Sequence, residues 1–169
     1  TKDIWKDMLD IRKSFEPRAE ELAKKYALAP YTMFIGSGAL WGETILFSMC
    51  ILEEMQWKRT RYITSADFFH GTLELVEPGV PVFLFMGEDE NRKLDERVRA
   101  FLTRGVTGDT DINVIDTAEF AIPGLDDEFR VIVSPWILSS LITDRLAAYY
   151  ETVTKHNLNY RRYYHQFDY

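Results

Sequence analysis

Two adjacent carboxylates and a distant histidine are the residues whose types could carry out proton-transfer chemistry. Glu53 and Glu54 follow the apolar run 47–52, and His70 opens the segment 70–76. A carboxylate can remove a carbon-bound proton and an imidazole can exchange a proton with oxygen, which are the two steps that rearrangement beside a sugar carbonyl requires. The residues alone leave simpler roles open: a solvated acidic pair at a helix end and a surface or capping histidine.

A glycine turn, Gly36-Ser37-Gly38, is the second candidate site. It follows a predicted strand and precedes a predicted helix, the position at which doubly wound folds bind ligands. We therefore predict a substrate-binding turn here, while any tight strand-to-helix turn also favours glycine. The spacing of Gly36, Gly38 and Gly42 matches the dinucleotide fingerprint only loosely, and the bulky Leu40 and Trp41 argue against a pyrophosphate on this turn.

The elements that must position these residues alternate between helix and strand. Apolar residues at three- and four-residue spacings predict a long amphipathic N-terminal helix over 3–26, in which Pro17 can introduce a bend. Buried strands are predicted at 31–35 and 80–85, a short strand at 59–63 and a fourth strand at 111–115, with further helices at 41–55, 91–103 and 134–155. Because parallel neighbours need crossover connections, the order predicts an α/β fold, a three-layer doubly wound parallel sheet of flavodoxin-like type with flanking helices.

The length of 169 residues suits a single domain. We divide the chain into a linking helix at 1–30, the α/β domain at 31–156, and a tail at 157–169 that is rich in Arg and Tyr. His156, His165, Arg161 and Arg162 could form a phosphate clamp, but we interpret them as residues that pack this tail on its own or on a neighbouring subunit. A first residue other than Met indicates a fragment or a processed product.

Composition excludes several classes of function. The net charge of −7 argues against binding to nucleic acid, which needs clustered cations. The longest apolar run, 80–86, is too short to cross a membrane, and the start of the chain is not a signal peptide. The single cysteine, Cys50, suits a reducing cytoplasm. Zinc-type spacings, a Gly-x-Ser-x-Gly elbow and a Walker A loop do not occur, so we expect neither a metal nor a cofactor.

Three segments together resemble a known family. The residues 34–38, 50–57 and 69–76 resemble the second sugar-isomerase (SIS) domain of fructosamine-phosphate deglycases, with the isomerase half of glucosamine-6-phosphate synthase as a wider relative. The most specific part is a glutamate followed sixteen residues later by the histidine of a His-Gly segment, here Glu54 and His70. The resemblance implies that Glu54 is the base and His70 the acid or base at sugar oxygen, with Glu53 as the alternative at a one-residue offset.

The resemblance also implies partners. It predicts a phosphorylated sugar-amine substrate, an N-terminal SIS domain in the same polypeptide, and a homodimer or higher oligomer in which the histidine reaches a neighbouring site. By this similarity the chain is the C-terminal half of a longer enzyme and is inactive alone. Ile51 replaces a lysine of the synthase, and the Tyr-rich tail lacks the synthase's catalytic lysine, which argues against aminotransfer.

Several alternative functions fit the sequence. A sugar-phosphate isomerase or a noncatalytic phosphosugar-binding SIS module would use the same fold. A dinucleotide-dependent oxidoreductase would use the glycine turn and Asp67. A purely structural dimerisation half would place the chemistry elsewhere, and Glu54→Gln would then leave catalysis unchanged.

Overall fold

The computed structural model describes residues 3–105 and 108–168, so that residues 1–2 of the predicted linking helix and residue 169 of the predicted tail lie outside the described residues. Four parallel strands form one sheet in the order β2-β1-β3-β4. The strands are β1 Thr32–Ile35, β2 Thr60–Ile63, β3 Val82–Met86 and β4 Ile112–Asp116. The predicted doubly wound α/β sheet is confirmed.

Helices cover both faces of this sheet. They are α1 Ile4–Tyr26, α2 Trp41–Ile45 with a π-helical continuation Leu46–Met55, α3 Ser65–Phe68, α4 Arg92–Leu102, and α5 Arg130–Ser139, which continues through π-helical Ser140–Leu146 into α6 Ala147–Thr154. Short 3₁₀ turns occupy Gly38–Leu40, Thr72–Leu75, Thr117–Glu119 and Asp127–Phe129. The first helix is long, as predicted, and runs continuously through Pro17.

The two central strands divide the core into two layers. Every residue of β1 and β3 is buried, which explains why both segments read as uninterrupted apolar runs. Successive side chains point to opposite faces of the sheet. Phe34 stacks with Phe83 and Phe85 on the face covered by α1, α5 and α6, with ring centroids 5.2 and 6.0 Å apart. Met33 and Ile35 face the smaller layer formed with α3 and α4.

The last helix begins earlier than the sequence predicts. We predicted a start at Ser134, whereas α5 begins at Arg130. Pro135 cannot donate to the carbonyl of Val131, but the Ser134 hydroxyl donates to that oxygen at 3.2 Å. This side-chain hydrogen bond lets the helix tolerate the proline in its second turn.

The same helical region is long and apolar enough to meet the length and hydropathy criteria for a membrane span, over Asp127–Thr154. Its buried residues include Ile137, Leu138, Leu141 and Ile142, which belong to the main hydrophobic cluster together with residues of α1. The core helix of a soluble protein meets the same criteria. We interpret this region as a helix of the hydrophobic core.

Candidate active site

The helix after β1 crosses the sheet from its carboxyl edge to its amino edge. It begins at Trp41, beyond the end of β1, and its π-helical part ends at Met55, before β2 begins at Thr60. Because all four strands are parallel, the end of this helix lies at the amino edge of the sheet. Glu53 and Glu54 occupy its last turn, and π-helical segments are frequent at functional sites.

An open cleft with a volume of about 580 Å³ lies at this amino edge. The volume falls within the range of about 300–1,000 Å³ typical of small-molecule sites. The lining combines the end of the helix, the turn before β2 and the tail: Glu53, Glu54, Trp57, Lys58, Arg59, Arg161, Arg162, Tyr163 and Tyr164. Four of these residues are cationic and two are carboxylates, so the cleft is locally positive in a chain whose net charge is −7.

Glu54 is held in this cleft by one of its two carboxylate oxygens. The Arg161 Nε lies 2.9 Å from Glu54 Oε1, and the two side chains are 19% and 30% exposed. The second oxygen, Oε2, has no hydrogen-bond partner among residues 3–105 and 108–168. The guanidinium therefore orients the carboxylate and leaves one oxygen open to accept a proton from a bound molecule.

Glu53 has a different attachment. Its Oε1 accepts a hydrogen bond of 2.5 Å from the Thr60 hydroxyl, which ties Glu53 to the first residue of β2. Burial raises the pKa of the neighbouring Cys50 thiol, and the negative charges of Glu54 and Glu53 raise it further. The structure therefore distinguishes the two glutamates by their partners, Glu53 on the sheet and Glu54 on the tail.

Trp57 adopts a strained conformation at the back of the cleft. Its φ of 53° lies in the left-handed region, which costs a bulky residue about 1–2 kcal/mol. Three contacts hold it there. The Lys58 amide donates to Leu52 O at 2.8 Å, the Arg162 guanidinium lies 4.3 Å from the indole centroid, and the His156 ring lies 4.4 Å away. Strain of this kind clusters at functional sites.

The tail is fixed to the helix that carries the glutamates. Gln56 is buried, its Nε2 donates to His156 O at 2.6 Å, and its Oε1 accepts from the Thr154 hydroxyl at 2.7 Å. The left-handed Lys155, with φ of 57°, ends α6 between these two contacts. These two hydrogen bonds of Gln56 clamp the start of the tail and direct residues 161–164 along the cleft.

His70 lies at the opposite edge of the sheet. It follows α3, beyond the carboxyl end of β2, and its amide donates to Asp67 O at 2.9 Å. Its side chain is exposed and has no partner in the described part of the chain. Strand β2, which spans about 10 Å at roughly 3.3 Å per residue, separates this edge from the end that carries Glu54. One copy of the chain therefore does not bring Glu54 and His70 together, and their joint role stays a prediction.

The glycine turn also lies at the carboxyl edge, and packing accounts for its residue types. A Cβ at Gly36 would overlap the Thr44 hydroxyl, and Gly38, with φ of +55°, is in the left-handed region against Asp89. Ser37 is 4% exposed, and its Oγ accepts from the Ser65 amide at 2.7 Å. The substrate-binding role predicted for Gly36, Ser37 and Gly38 stays a prediction.

The crevice beside this turn is acidic. The Ala39 amide, which an anion would use, already donates to Asp89 Oδ2 at 2.5 Å. The crevice is lined by the carboxylates of Glu88, Asp89, Glu90, Asp127 and Glu128. Electrostatics therefore disfavours a phosphate here and favours an anion in the positive cleft at the amino edge. Within the described ranges, no group of three or more His, Cys, Asp or Glu is placed to hold a metal ion.

Sequence reasoning missed three residues of the cleft. No sequence pattern singles out Lys58, and Trp57 enters the prediction only as the end of the segment 50–57 that carries the resemblance. Arg161 was interpreted as a packing residue of the tail, whereas it both packs there and pairs with Glu54. The available signal was the concentration of Arg and Tyr at 160–164 in an otherwise acidic chain.

Comparison with known proteins gives clear relatives. The chain is 30% identical over 148 residues to the fructosamine deglycase of Bacillus subtilis, covering 86% of this chain and 43% of that protein. It is 30% identical over 155 residues to the fructoselysine 6-phosphate deglycase of Escherichia coli, covering 90% and 42%. The chain thus spans less than half the length of these curated relatives. No family model matches it.

Solved structures agree with these relatives. A proposed phosphosugar isomerase of Bacillus subtilis superimposes with a TM-score of 0.88 at 28% identity, covering 96% of this chain and 48% of the other. The C-terminal domain of glucosamine-fructose-6-phosphate aminotransferase from Francisella tularensis superimposes with a TM-score of 0.58 at 13% identity, covering 88% and 43%. The second likeness supports the fold alone.

Proposed function

Because the chain is a sugar-isomerase (SIS) domain whose homologues are fructosamine and fructoselysine 6-phosphate deglycases, we propose that it is the catalytic half of a sugar-phosphate deglycase. The substrate is a 6-phosphofructosyl amine or a related ketosamine phosphate, and the products are a hexose 6-phosphate and the free amine. The relatives are more than twice as long as the matched region, which supports a second SIS domain in the same polypeptide as the partner of this one.

The main support for this proposal is the location of Glu54 and the contacts of its carboxylate. It lies in a positive cleft of small-molecule size, with one oxygen bound to Arg161 and the other without a partner among the described residues. A general base needs an accessible oxygen within reach of the proton that it removes, and it needs a fixed orientation. Glu54 meets both requirements. Glu53 also has one oxygen engaged, by Thr60, and the sixteen-residue spacing to His70 is what favours Glu54 over it.

The chemistry follows from a carboxylate beside a ketosamine. Glu54 removes a proton from C1, and the C2 carbonyl oxygen gains a proton, which gives an enaminol. Reprotonation at C2 with loss of the nitrogen-bound proton gives an imine at C1. Water then adds to the imine carbon and releases the amine together with glucose 6-phosphate.

His70 enters this scheme from a second copy of the chain. It lies at the carboxyl edge of the sheet and is exposed, which suits a residue that exchanges protons at sugar oxygen in a neighbouring site. We propose a homodimer or higher oligomer on this ground. The same function is proposed to operate in the cytoplasm.

The test compares two adjacent substitutions in the intact enzyme. Glu54→Gln should lower release of glucose 6-phosphate from 6-phosphofructosyl-lysine by about 100-fold or more, because general base catalysis is lost, while substrate binding is retained. Glu53→Gln is the matched control and should keep most of the activity. Normal turnover by Glu54→Gln would contradict the proposal. A loss of activity confined to Glu53→Gln would identify Glu53 as the base.

A sugar-phosphate isomerase is the second candidate. The solved structure with a TM-score of 0.88 and 28% identity is that of a proposed phosphosugar isomerase. Proton transfer between C1 and C2 by Glu54 also interconverts an aldose phosphate and a ketose phosphate. Release of free amine separates the two activities, because an isomerase releases none. A noncatalytic phosphosugar-binding module would bind the ligand and give neither product.

A further inference from the structure

Lys58 is a cation in the cleft for which the described part of the chain supplies no counter-charge. It lies two residues after the last residue of the helix cap, and its amide donates to Leu52 O at 2.8 Å, which fixes its backbone. Its side chain is half-buried, and burial lowers the pKa of its ammonium group. No hydrogen bond or ion pair engages that ammonium within 3–105 and 108–168. A partly desolvated cation without a partner is unfavourable until an anion binds beside it.

Among the other charged residues of the cleft, Arg161 and both glutamates are already engaged, and Arg59 is exposed to solvent. Arg161 pairs with Glu54, and Glu53 accepts from Thr60. Arg162 lies over the Trp57 ring, a contact that positions the guanidinium without neutralising it. Lys58, which is half-buried, and Arg162, which is positioned by Trp57, are therefore the two ordered cations available to one negatively charged group, with the exposed Arg59 beside them.

The aromatic residues of the cleft indicate what kind of molecule carries that group. Trp57, Tyr163 and Tyr164 line the cleft together with the two cations, and each is at least 41% exposed. Aromatic faces pack against methylene groups, and the cations bind an anion at the end of such a chain. An alkyl chain that ends in a carboxylate has this pattern, whereas a sugar phosphate joins its anion to a hydroxyl-rich ring.

We infer that Lys58 and Arg162 form a subsite for the carboxylate of an amino acid attached to the sugar, and that this subsite selects amino-acid ketosamine phosphates over those of simple amines. The inference rests on the proposed function. It names residues that determine specificity on the amine side of the substrate, distinct from the proton transfer at Glu54. It also explains why a strained Trp57 and a clamped tail are maintained beside the glutamates.

Two ligands that differ by a single carboxylate test the subsite. The intact protein carrying Glu54→Gln binds 6-phosphofructosyl-lysine and 6-phosphofructosyl-cadaverine without turnover, and calorimetry measures each affinity. The lysine adduct should bind about tenfold or more tightly, as expected for a hydrogen-bonded charge pair. Adding Lys58→Met should weaken the lysine adduct by about 10- to 100-fold and the cadaverine adduct by less than about twofold.

The controls separate the possible failures. Lys24→Met removes an exposed lysine of α1 and should change neither affinity. Lys58→Arg should restore part of the preference, which also shows that the position tolerates substitution. Equal affinity for the two adducts, or an equal loss for both with Lys58→Met, overturns the subsite and points to a phosphate contact or to a structural role. If the intact enzyme releases no glucose 6-phosphate but still binds the lysine adduct more tightly than the cadaverine adduct, the proposed function is wrong and the subsite stands.

Discussion

Gly36→Ala is the change whose effect can be worked most directly from the structure. A Cβ at this position would overlap the Thr44 Oγ1 and would lie 3.4 Å from the Thr44 Cβ and 3.5 Å from the Phe85 Cβ. The φ of Gly36 is not in the left-handed region, so the added methyl group would meet only steric resistance. The substitution therefore isolates one packing contact between the turn after β1 and the helix that carries Glu54.

Thr44 has little freedom to yield. It is fully buried and β-branched, and its hydroxyl donates to Leu40 O at 2.9 Å. Overpacking a core position costs about 1–3 kcal/mol, and loss of a buried hydrogen bond costs roughly 1 kcal/mol more. We expect Gly36→Ala to lower the free energy of unfolding by about 2–4 kcal/mol.

Urea denaturation of four variants measures this effect. Gly36→Ala is compared in the wild-type background and in Thr44→Ala, where the obstructing hydroxyl is absent and the cost should fall by more than about 1 kcal/mol. Gly42→Ala is the matched glycine control, because a Cβ there meets nothing within 4 Å, and it should stabilise the helix by about 0.5–1 kcal/mol. A loss below about 0.5 kcal/mol, or the same loss in both backgrounds, would refute the packing explanation.

Two further predictions concern buried charges. Burial raises the pKa of Asp95 to about 6, so the folded protein binds this proton more tightly than the unfolded chain does. Stability should therefore fall as the pH rises from about 4 to about 6, by up to roughly 3 kcal/mol, and Asp95→Asn should flatten that part of the curve; parallel pH curves for both proteins would contradict this. Arg130→Met should cost about 3–5 kcal/mol in denaturant unfolding, because it leaves the 15% exposed Glu88 without its ion pair. The exposed pair of Lys24 with Glu20 is the control, and a comparable loss for Lys24→Met would show that burial is not the reason.

The fold was accessible from the sequence because its strongest signals are local. The apolar runs at β1 and β3 are continuous since both strands are buried on two faces, and the helices between them carry periodic apolar residues. Boundaries shifted where a single hydrogen bond decided them, as at Ser134 and Pro135. The π-helical geometry of Leu46–Met55 was not predicted, because tertiary packing selects between hydrogen bonds to the fourth and the fifth residue.

The candidate site was accessible only in part. Glu54 was identified through a resemblance, whereas its partner Arg161 lies 107 positions away in the chain, a separation that no local pattern bridges. The left-handed backbone conformation of Trp57 could not be predicted from the sequence either, since bulky residues rarely adopt it. Contacts with His156 and Arg162, which are distant in the chain, hold the side chain there. Long-range contacts of the tail therefore define the cleft more than the composition of the helix does.

The placement of Glu54 and His70 at opposite edges of one sheet has a genetic consequence. If both residues serve one reaction, each reaction centre is shared between two copies of the chain. A copy that lacks only Glu54 and a copy that lacks only His70 then still assemble one complete centre when both are expressed in the same cell. Substitutions of Glu54 and of His70 in separate copies would therefore complement each other, whereas two different substitutions of the same residue would not.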